Sequence, residues 1–443
     1  MEIDLNLLKI QNPWWDSGNF VNDEEINNFN QAKFKYRPSI IDKIKLKKGS
    51  RIVVEGARGL GKTTLFKLLL SDLIKKNDPG KLFYYSCHNL NSKEQLNEII
   101  KKYLSKFAKS GVLYIFIDEV AQVKDWHKGI EYLNDAGLLD NVSLVVGGSH
   151  FFSLDDASLK WQRYLLHSLS FKEMLNLLDD DLYNELLKNK QSYRKYYNRI
   201  EYYLDIYMLT GGYLQVINDF FKKGHVSQEV YDKHIYWVIA DVAKDKKDLV
   251  LFRQIIEQIF HYFGTNIGSK TLARLTVAKT HNTVLEYLNL LKNLFLTQDL
   301  FQLGIDQNIN KRANRRLYFR DPFLYWLFLS YSYASLNCWY FSREYIHKKK
   351  IFDDLAENVV FSHLLKQEDY DTWEKVVFNK KISQDIFAFV SKNNTVLLDY
   401  EEKYKKDFFK KKISNKGIII SRKKLDLETS IKIMPLSYFL IFS

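Results

Sequence analysis

A glycine-rich segment carries the clearest chemistry in the sequence. Residues 56–63 read GARGLGKT, which fits the pattern G-x-x-x-x-G-K-[ST] in full. Glycines at this spacing let backbone N–H groups curl around phosphate oxygens, and a helix that starts behind them directs its positive end at the anion. The lysine brings a cation to the terminal phosphates, and the threonine hydroxyl is a ligand for Mg²⁺. The pattern predicts a triphosphate site made of Gly56, Ala57, Arg58, Gly59, Leu60, Gly61, Lys62, Thr63 and Thr64.

Two adjacent acids follow an unbroken apolar run. Residues 112–117 read VLYIFI, and Asp118 and Glu119 come directly after them. An acid at the carboxyl end of a neighbouring parallel strand can reach the Mg²⁺ shell. We therefore expect Asp118 to hold Mg²⁺ through a water molecule, with Thr63 as a further ligand, and Glu119 to polarise the attacking water as general base. A solvated acidic pair at a strand end is the alternative.

Further side chains could complete a hydrolytic site. Ser149 follows the next predicted strand, in GGSH, and could sense the γ-phosphate or orient the water; the alternative is an ordinary turn serine. Phosphoryl transfer also needs positive charge against its transition state. Arg58 could supply it from within the loop, or Arg163 across a subunit boundary, although either could be a surface arginine. The expected catalytic set is Lys62, Glu119, Ser149 and Arg163.

Alternating strands and helices must position these groups. Apolar runs predict strands at 51–54, 82–87, 112–117 and 142–147. Helical spacing follows the glycine-rich loop and recurs at 94–107. This alternation predicts an α/β fold with a parallel sheet and crossover helices. Beyond about residue 165 the pattern becomes helical over 170–222, with a break at Thr210-Gly211-Gly212.

The middle of the chain predicts a winged helix-turn-helix. Helices are expected at 247–263, 269–275 and 281–294, followed by a hairpin from 295–303 and 316–320. The third helix, opened by Asn282 and Thr283, would be the recognition helix, capped by Thr280 or Asn282. Four cations of the wing could bind phosphates: Lys311, Arg312, Arg315 and Arg316. Winged helices also serve as protein-packing modules, and that alternative stays open.

The composition indicates a basic protein of a reducing compartment. The 443 residues suggest roughly three domains. Lys plus Arg exceeds Asp plus Glu by 66 to 53, so the net charge is +13. Such a charge attracts polyanions such as nucleic acid, although AT-rich coding could also produce it. Two cysteines exclude a disulfide framework, and we expect a cytoplasmic protein. The most membrane-like stretch, 322–341, reads as a buried aromatic helix, so no membrane partner is expected.

Eight motifs are spread along the chain: NPWW (12–15), GARGLGKTTL (56–65), YIFIDEVAQVKDW (114–126), GGS (147–149), LSFKEM (169–174), TGGY (210–213), YFRDPF (318–323) and LAENVV (355–360). In these motifs and their order the chain resembles prokaryotic AAA-type ATPases of unassigned role that join a P-loop domain to a C-terminal restriction-endonuclease-like domain. The resemblance implies ATP and Mg²⁺ as ligands. Two positions depart from it: Gln162 stands before Arg163 where glycine is usual, and Leu214 replaces a proline. Trp14 and Trp15 could line the nucleotide pocket or be buried by packing.

The resemblance also implies a nuclease-like set of residues near the end of the chain. From about residue 350 a helix at 351–366 is expected, then strands near 374–378, 385–390, 395–401 and 417–420. Restriction-like nucleases hold Mg²⁺ with an early helix glutamate and with acids on two strands. The matching residues here are Glu357, Asp385 and Glu401, with Lys403 beside them. An inactive relic, or charges that merely solvate a hairpin, are the alternatives.

Together these features predict four segments. They are a P-loop ATPase core at 1–165, a helical lid at 166–240, a winged helix-turn-helix with connecting helix at 241–340, and a small α/β restriction-endonuclease-like domain at 341–443. The expected function is Mg²⁺-dependent ATP hydrolysis on or with nucleic acid, DNA binding through the winged helix and the basic tail, with homo-oligomerisation left open. The alternatives are a nucleotide-gated signalling or defence switch or scaffold with slow turnover and an inactive nuclease-like tail, or a transcription regulator.

Overall fold

The chain divides into two compact units, Met1–His167 with Asn293–Phe295, and Ser168–Lys292 with Leu296–Ser443. A computed structural model describes residues 5–107, 111–150, 158–301, 314–367, 378–381, 387–390, 395–400, 406, 409–410, 414 and 416–443. In these ranges we find no helix with the length and apolar character needed to span a bilayer.

A five-stranded parallel sheet forms the centre of the first unit. Its strands are β1 (Arg51–Glu55), β2 (Leu82–Ser86), β3 (Leu113–Asp118), β4 (Val142–Gly148) and β5 (Gln162–Leu165), in the order β2-β3-β4-β1-β5. Its helices are α1 (Leu5–Gln11), α2 (Trp14–Ser17), α3 (Glu24–Gln31), α4 (Ile40–Lys43), α5 (Lys62–Leu73), α6 (Lys93–Phe107) and α7 (Trp126–Asp135). The predicted α/β fold with a parallel sheet is confirmed. The unbroken apolar runs of β1, β3 and β4 are buried, as in sheets covered on both faces.

The sequence did not reveal β5. Its residues, QRYL, are few and partly polar, and an edge strand next to β1 needs only one apolar face. The adjacent central strands β3, β4 and β1 end at the same edge of the sheet, because they run parallel. The loops that follow them therefore carry the candidate site.

Helices dominate the first half of the second unit. They are α8 (Phe171–Leu178), α9 (Asp180–Lys188), α10 (Ser192–Lys195), α11 (Tyr197–Thr210), α12 (Leu214–Lys223) and α13 (Gln228–Lys244). The predicted break after Thr210 is present. Ser170 begins α8 with a capping box, since its side chain accepts from the N–H of Glu173 while the Glu173 carboxylate accepts from the Ser170 N–H.

One buried aspartate joins three loops of this unit. The Asp321 carboxylate accepts hydrogen bonds from the Ser168 hydroxyl (2.5 Å), the Gly212 N–H (3.0 Å) and the Phe323 N–H (2.8 Å). Gly212 is packed so closely that a Cβ there would lie 1.9 Å from the carbonyl oxygen of Leu169. The motifs LSF, TGGY and RDPF therefore meet at one structural junction.

Three helices and a hairpin follow in the predicted order. They are α14 (Leu249–His261), α15 (Ser269–Arg274), α16 (His281–Asn293), β6 (Thr297–Phe301) and β7 (Arg315–Phe319), with β6 and β7 antiparallel. The next helix, α17 (Pro322–Ser332), is buried along nearly its whole length. It ends well before the end of the apolar stretch, and α18 (Cys338–Tyr345) follows.

A mixed sheet forms the last part of the chain. After α19 (Lys349–Lys366) come β8 (Phe378–Lys381), β9 (Phe387–Val390), β10 (Thr395–Leu398), β11 (Gly417–Ser421), β12 (Ile431–Pro435) and α20 (Leu436–Phe442). The strand order is β12-β11-β10-β9-β8; β8 to β10 pair antiparallel and β10 to β12 parallel. The fifth strand, β12, was not among the sequence predictions.

Candidate nucleotide-binding site

The glycine-rich loop connects β1 to α5, as its sequence predicts. Gly59 and Gly61 have φ values of +81° and +88°, which only glycine adopts at little cost. At Gly56 a Cβ would lie 2.5 Å from the carbonyl oxygen of Leu166. The buried Lys62 ammonium donates to the carbonyl oxygens of Gly56 (2.9 Å) and Ala57 (3.0 Å). The loop thus holds a cation inside a ring of backbone groups, which is the arrangement a polyphosphate requires.

Thr63 and Asp118 lie side by side at the sheet edge. The Thr63 hydroxyl donates to Asp118 Oδ2 at 2.5 Å, and the N–H of Glu119 donates to Asp118 Oδ1 at 2.9 Å. Burial raises the pKa of the Asp118 carboxyl, and the neighbouring Glu119 charge raises it further. A hydroxyl and a carboxylate are oxygen ligands of the kind that Mg²⁺ prefers, so this pair fits the predicted metal site.

A hydrogen-bonded chain links Glu119 to the glycine-rich loop. The Ser149 hydroxyl donates to Glu119 Oε2 (3.1 Å) and accepts from Arg58 Nε (3.3 Å). Glu119 has a φ of +50°, a left-handed conformation that is uncommon for a residue with a side chain and concentrates at functional sites. The structure therefore brings together the predicted base, the predicted sensor and one candidate cation.

Arg163 is engaged elsewhere. Its guanidinium forms a bidentate ion pair with the fully buried carboxylate of Glu55, with Nη2 lying 2.9 and 3.0 Å from the two carboxylate oxygens. Residues 53 and 55 of β1 share a face, and Val53 is the register partner of Arg163. The expected role as a catalytic arginine reaching another subunit conflicts with this geometry, because the guanidinium neutralises a charge beneath its own loop.

Two residues of this site carry no motif and were missed. The Tyr84 hydroxyl donates to Asp118 Oδ2 at 3.1 Å, and burial raises the pKa of Tyr84. The Thr64 hydroxyl donates to the carboxylate of Glu25. The only available signal for Tyr84 was its place in a strand neighbouring Asp118. Glu25 lies 39 residues away from Thr64, and nothing in the sequence pairs them.

The NPWW segment seals the free edge of β2. The side chain of Asn12 bonds both backbone groups of Tyr84, accepting from its N–H (2.7 Å) and donating to its carbonyl (2.9 Å). The indole N–H groups of Trp14 and Trp15 both donate to the carbonyl of Leu82. Trp14 is fully buried and stacks on Phe20. Packing, the second of the two alternatives for the tryptophans, is what the structure shows.

The segment predicted to be a winged helix-turn-helix contains one predicted helix cap and two ion-paired arginines. The Thr280 side chain accepts from the N–H of Thr283 at 3.2 Å, so Thr280 caps α16 as one alternative predicted. Arg315 is paired with Asp299 at 2.9 Å, and the buried Arg316 is paired with Glu357. The sequence suggested that both arginines could bind phosphates; in the structure each neutralises an internal carboxylate, so phosphate binding by them stays an untested prediction. The remaining wing cations, Lys311 and Arg312, lie outside the described residues.

Of the predicted nuclease metal set, only Glu357 lies among the residues that the structure describes. Glu357 accepts hydrogen bonds from Arg316 and from the Tyr318 hydroxyl, so its carboxylate takes part in an internal ion pair, and its predicted role as a metal ligand stays untested. Asp385, Glu401 and Lys403 lie outside the described residues. Among the described ones, no group of three or more His, Cys, Asp or Glu side chains could hold a metal ion.

The parallel sheet, its loop and the Thr63–Asp118 pair define the P-loop NTPase fold. Residues 48–175 match the family model described as "AAA domain". Residues 201–333 match the model described as "Domain of unknown function (DUF8612)".

The chain is similar to several known proteins, among them two relatives and one solved structure. An uncharacterized protein of Methanocaldococcus jannaschii is 23% identical over 319 residues, 65% of each chain. An uncharacterized protein of Haemophilus influenzae is 26% identical over 270 residues, 58% of each chain. The present chain therefore spans less than two thirds of the length of these two relatives. The structure of the Aeropyrum pernix ORC1 protein in complex with DNA is 12% identical and aligns over 69% of this chain and 92% of that chain, with a TM-score of 0.32.

Proposed function

We propose that this protein is a Mg²⁺-dependent AAA-type ATPase that acts on or with nucleic acid. The observation that carries the proposal is the contact between the Thr63 hydroxyl and Asp118 Oδ2, at 2.5 Å, next to the loop that holds the Lys62 ammonium. Bound MgATP supplies a phosphoanhydride whose charge the metal partly neutralises. Lys62 and the loop N–H groups bind the phosphates, and Thr63 and Asp118 hold the metal.

The hydrogen-bonded series of Arg58, Ser149 and Glu119 activates the attacking water. The Glu119 carboxylate takes a proton from the attacking water as general base. Ser149 orients that carboxylate, and Arg58 places positive charge on the same chain. These are the groups of the site that lie between the loop and the ends of β3 and β4.

Two variants test this site. Lys62→Ala is expected to abolish binding of a fluorescent ATP analogue, with Lys48→Ala, an exposed lysine before β1, as the control. Glu119→Gln is expected to keep binding and to lower turnover about 10²- to 10⁴-fold, because the shape remains and the base is lost. The exposed Glu98→Gln on α6 should turn over at the wild-type rate. Normal affinity in Lys62→Ala refutes the site, and normal turnover in Glu119→Gln refutes the base.

The nucleic-acid part of the proposal rests on a basic surface. Residues 258–285 contain no aspartate or glutamate, and they expose Lys270, Arg274 and Lys279 on α15 and the turn before α16. Phosphate contacts from such a surface give an affinity that falls steeply with salt. This surface replaces the wing arginines, whose charges are neutralised internally.

A charge-reversal triplet tests that surface. Changing Lys270, Arg274 and Lys279 to Glu should weaken the binding of duplex DNA. The slope of the logarithm of the binding constant against the logarithm of the salt concentration should become shallower by the equivalent of about three phosphate contacts. The matched control reverses three exposed cations elsewhere in the same unit, namely Lys188, Arg194 and Lys222. Equal losses in both triplets would mean that only net charge matters and would contradict a defined surface.

A nucleotide-gated switch with slow turnover is the second candidate. The Arg163–Glu55 pair favours it, because that arginine is unavailable to stabilise a transition state. The Arg316–Glu357 pair favours an inactive nuclease-like tail, because the Glu357 carboxylate is already engaged by an arginine. Metal-dependent nicking of DNA by the wild type, lost in Asp385→Ala and kept in Lys62→Ala, would rule out the inactive tail.

A further inference from the structure

Asp118 is held by one hydroxyl that belongs to no sequence motif. Its Oδ2 accepts from the Thr63 hydroxyl at 2.5 Å and from the Tyr84 hydroxyl at 3.1 Å. Tyr84 lies on β2, next to β3, where its side chain is buried on the face that also carries α5. Its hydroxyl reaches the carboxylate that ends the neighbouring strand.

Tyr84 is itself fixed from three directions. Asn12 bonds its backbone N–H and its carbonyl. The Lys67 ammonium lies 3.8 Å from the centre of the tyrosine ring and forms an ion pair with Asp23 at 2.8 Å. Both partners of that ion pair are buried. A ring held by two backbone bonds and by a cation on its face has little freedom to turn.

The two hydroxyls on Asp118 have different duties. Thr63 is expected to serve both the metal and Asp118, because a hydroxyl oxygen can direct a lone pair at Mg²⁺ while its proton stays on the carboxylate. Tyr84 is not among the predicted metal ligands, so its bond to Asp118 can serve the orientation of the carboxylate alone. A hydrogen bond to a metal-binding carboxylate from a residue outside the ligand set orients that carboxylate, and loss of such bonds typically costs 10- to 100-fold in metal affinity.

We propose that Tyr84 is a positioning residue for the Mg²⁺ site, holding Asp118 in the orientation that binds metal. The Tyr84–Asn12 contact makes the NPWW segment the support of this residue. The inference rests on the proposed nucleotide site and adds to it a residue that acts through Asp118 without touching the nucleotide.

The test is Tyr84→Phe, which removes one oxygen atom and keeps the ring. The measurement is equilibrium binding of a fluorescent ATP analogue across a range of free Mg²⁺ concentrations and in EDTA. The Mg²⁺ concentration at half-maximal enhancement of binding should rise about 10- to 100-fold. Affinity in EDTA should stay within about twofold of wild type, and saturating Mg²⁺ should restore wild-type affinity.

Tyr85→Phe is the matched control. Tyr85 is the next residue of β2 and packs on the opposite face of the sheet, against Phe83. It should show the wild-type Mg²⁺ dependence. An unchanged Mg²⁺ midpoint in Tyr84→Phe overturns the proposal. So does a loss of affinity that is equal with and without metal, since that pattern reports a general packing defect.

Failure of this inference is distinguishable from failure of the proposed function. If wild-type protein binds the analogue through Lys62 and responds to Mg²⁺ while Tyr84→Phe behaves identically, only the positioning role falls. If Lys62→Ala binds as tightly as wild type, the nucleotide site itself is wrong.

Discussion

Replacing Arg163 by alanine separates a structural arginine from a catalytic one. The guanidinium lies 2.9 and 3.0 Å from the carboxylate oxygens of Glu55, whose side chain is fully buried directly before the glycine-rich loop. Removing the arginine leaves a carboxylate buried without its partner, which costs about 3–5 kcal/mol. Arg163→Lys keeps the charge but loses the two-pronged geometry, so its loss should be intermediate.

Equilibrium urea unfolding is the assay, combined with hydrogen exchange of residues 51–55. Arg163→Ala should lower the free energy of unfolding by that amount and speed exchange in β1, because this strand carries Glu55. The double variant Glu55→Gln/Arg163→Met should recover most of the loss, since no unpaired charge then remains.

A catalytic arginine predicts the opposite pattern. Arg163→Ala would then keep wild-type stability and exchange while losing about 10³- to 10⁵-fold in turnover. Mixing it with Lys62→Ala protein would restore activity if the arginine acted across a subunit boundary. Either result would refute the structural assignment.

Individual contacts carry three further predictions. Glu25→Gln should tighten nucleotide binding, because it removes a negative charge hydrogen-bonded to Thr64 in the first turn of α5, next to the loop that must receive phosphates. Glu24→Gln, exposed on the same helix, should leave nucleotide affinity unchanged, and equal affinities of the two variants would contradict the prediction. Burial raises the pKa of Asp354 to about 7, so the folded state keeps a proton that the unfolded state releases, and unfolding free energy falls as pH rises from about 4 to 7. Asp354→Asn should remove that contribution, so the free energy of unfolding of the variant, measured in urea, should rise relative to that of wild type between pH 5 and pH 8. If the unfolding free energies of the two proteins change in parallel with pH, the prediction is wrong. Gly212→Ala should lower the free energy of unfolding by about 3 kcal/mol or more, measured by thermal unfolding, because the added Cβ clashes with a backbone carbonyl. Gly224→Ala is the control: it has open space around it and should lose only about 1 kcal/mol, for its φ of +76°. Equal losses in the two variants would show that the clash at Gly212 is relieved.

Local sequence determined the loop, the sheet class and the acids of the site. Phosphate binding through Gly59, Gly61 and Lys62 depends on the backbone conformation of the loop and on the start of a helix. Both are determined by residues that are adjacent in the sequence. Unbroken apolar runs predict parallel strands, and parallel strands end at one sheet edge. For that reason the order of residues along the chain is enough to place Asp118 and Thr63 at the same edge of the sheet, while their direct contact depends on the strand order.

Tertiary structure alone decided which charged groups serve the site and which serve the fold. Arg163, Arg315, Arg316 and Glu357 have residue types suited to catalysis or phosphate binding, yet each lies in an internal ion pair. Their partners are at least 16 residues away in the chain, and no local pattern reports such a distance. Burial makes an unpaired charge costly, so packing determines which ions must be neutralised.

The same reason explains why Tyr84 escaped sequence analysis. Its hydroxyl gains a role only because β2 lies beside β3 and because Asn12, 72 residues away, holds its backbone. A tyrosine within a strand is ordinarily a packing residue. The order of strands in the sheet, which is a property of the whole domain, turned it into a neighbour of Asp118.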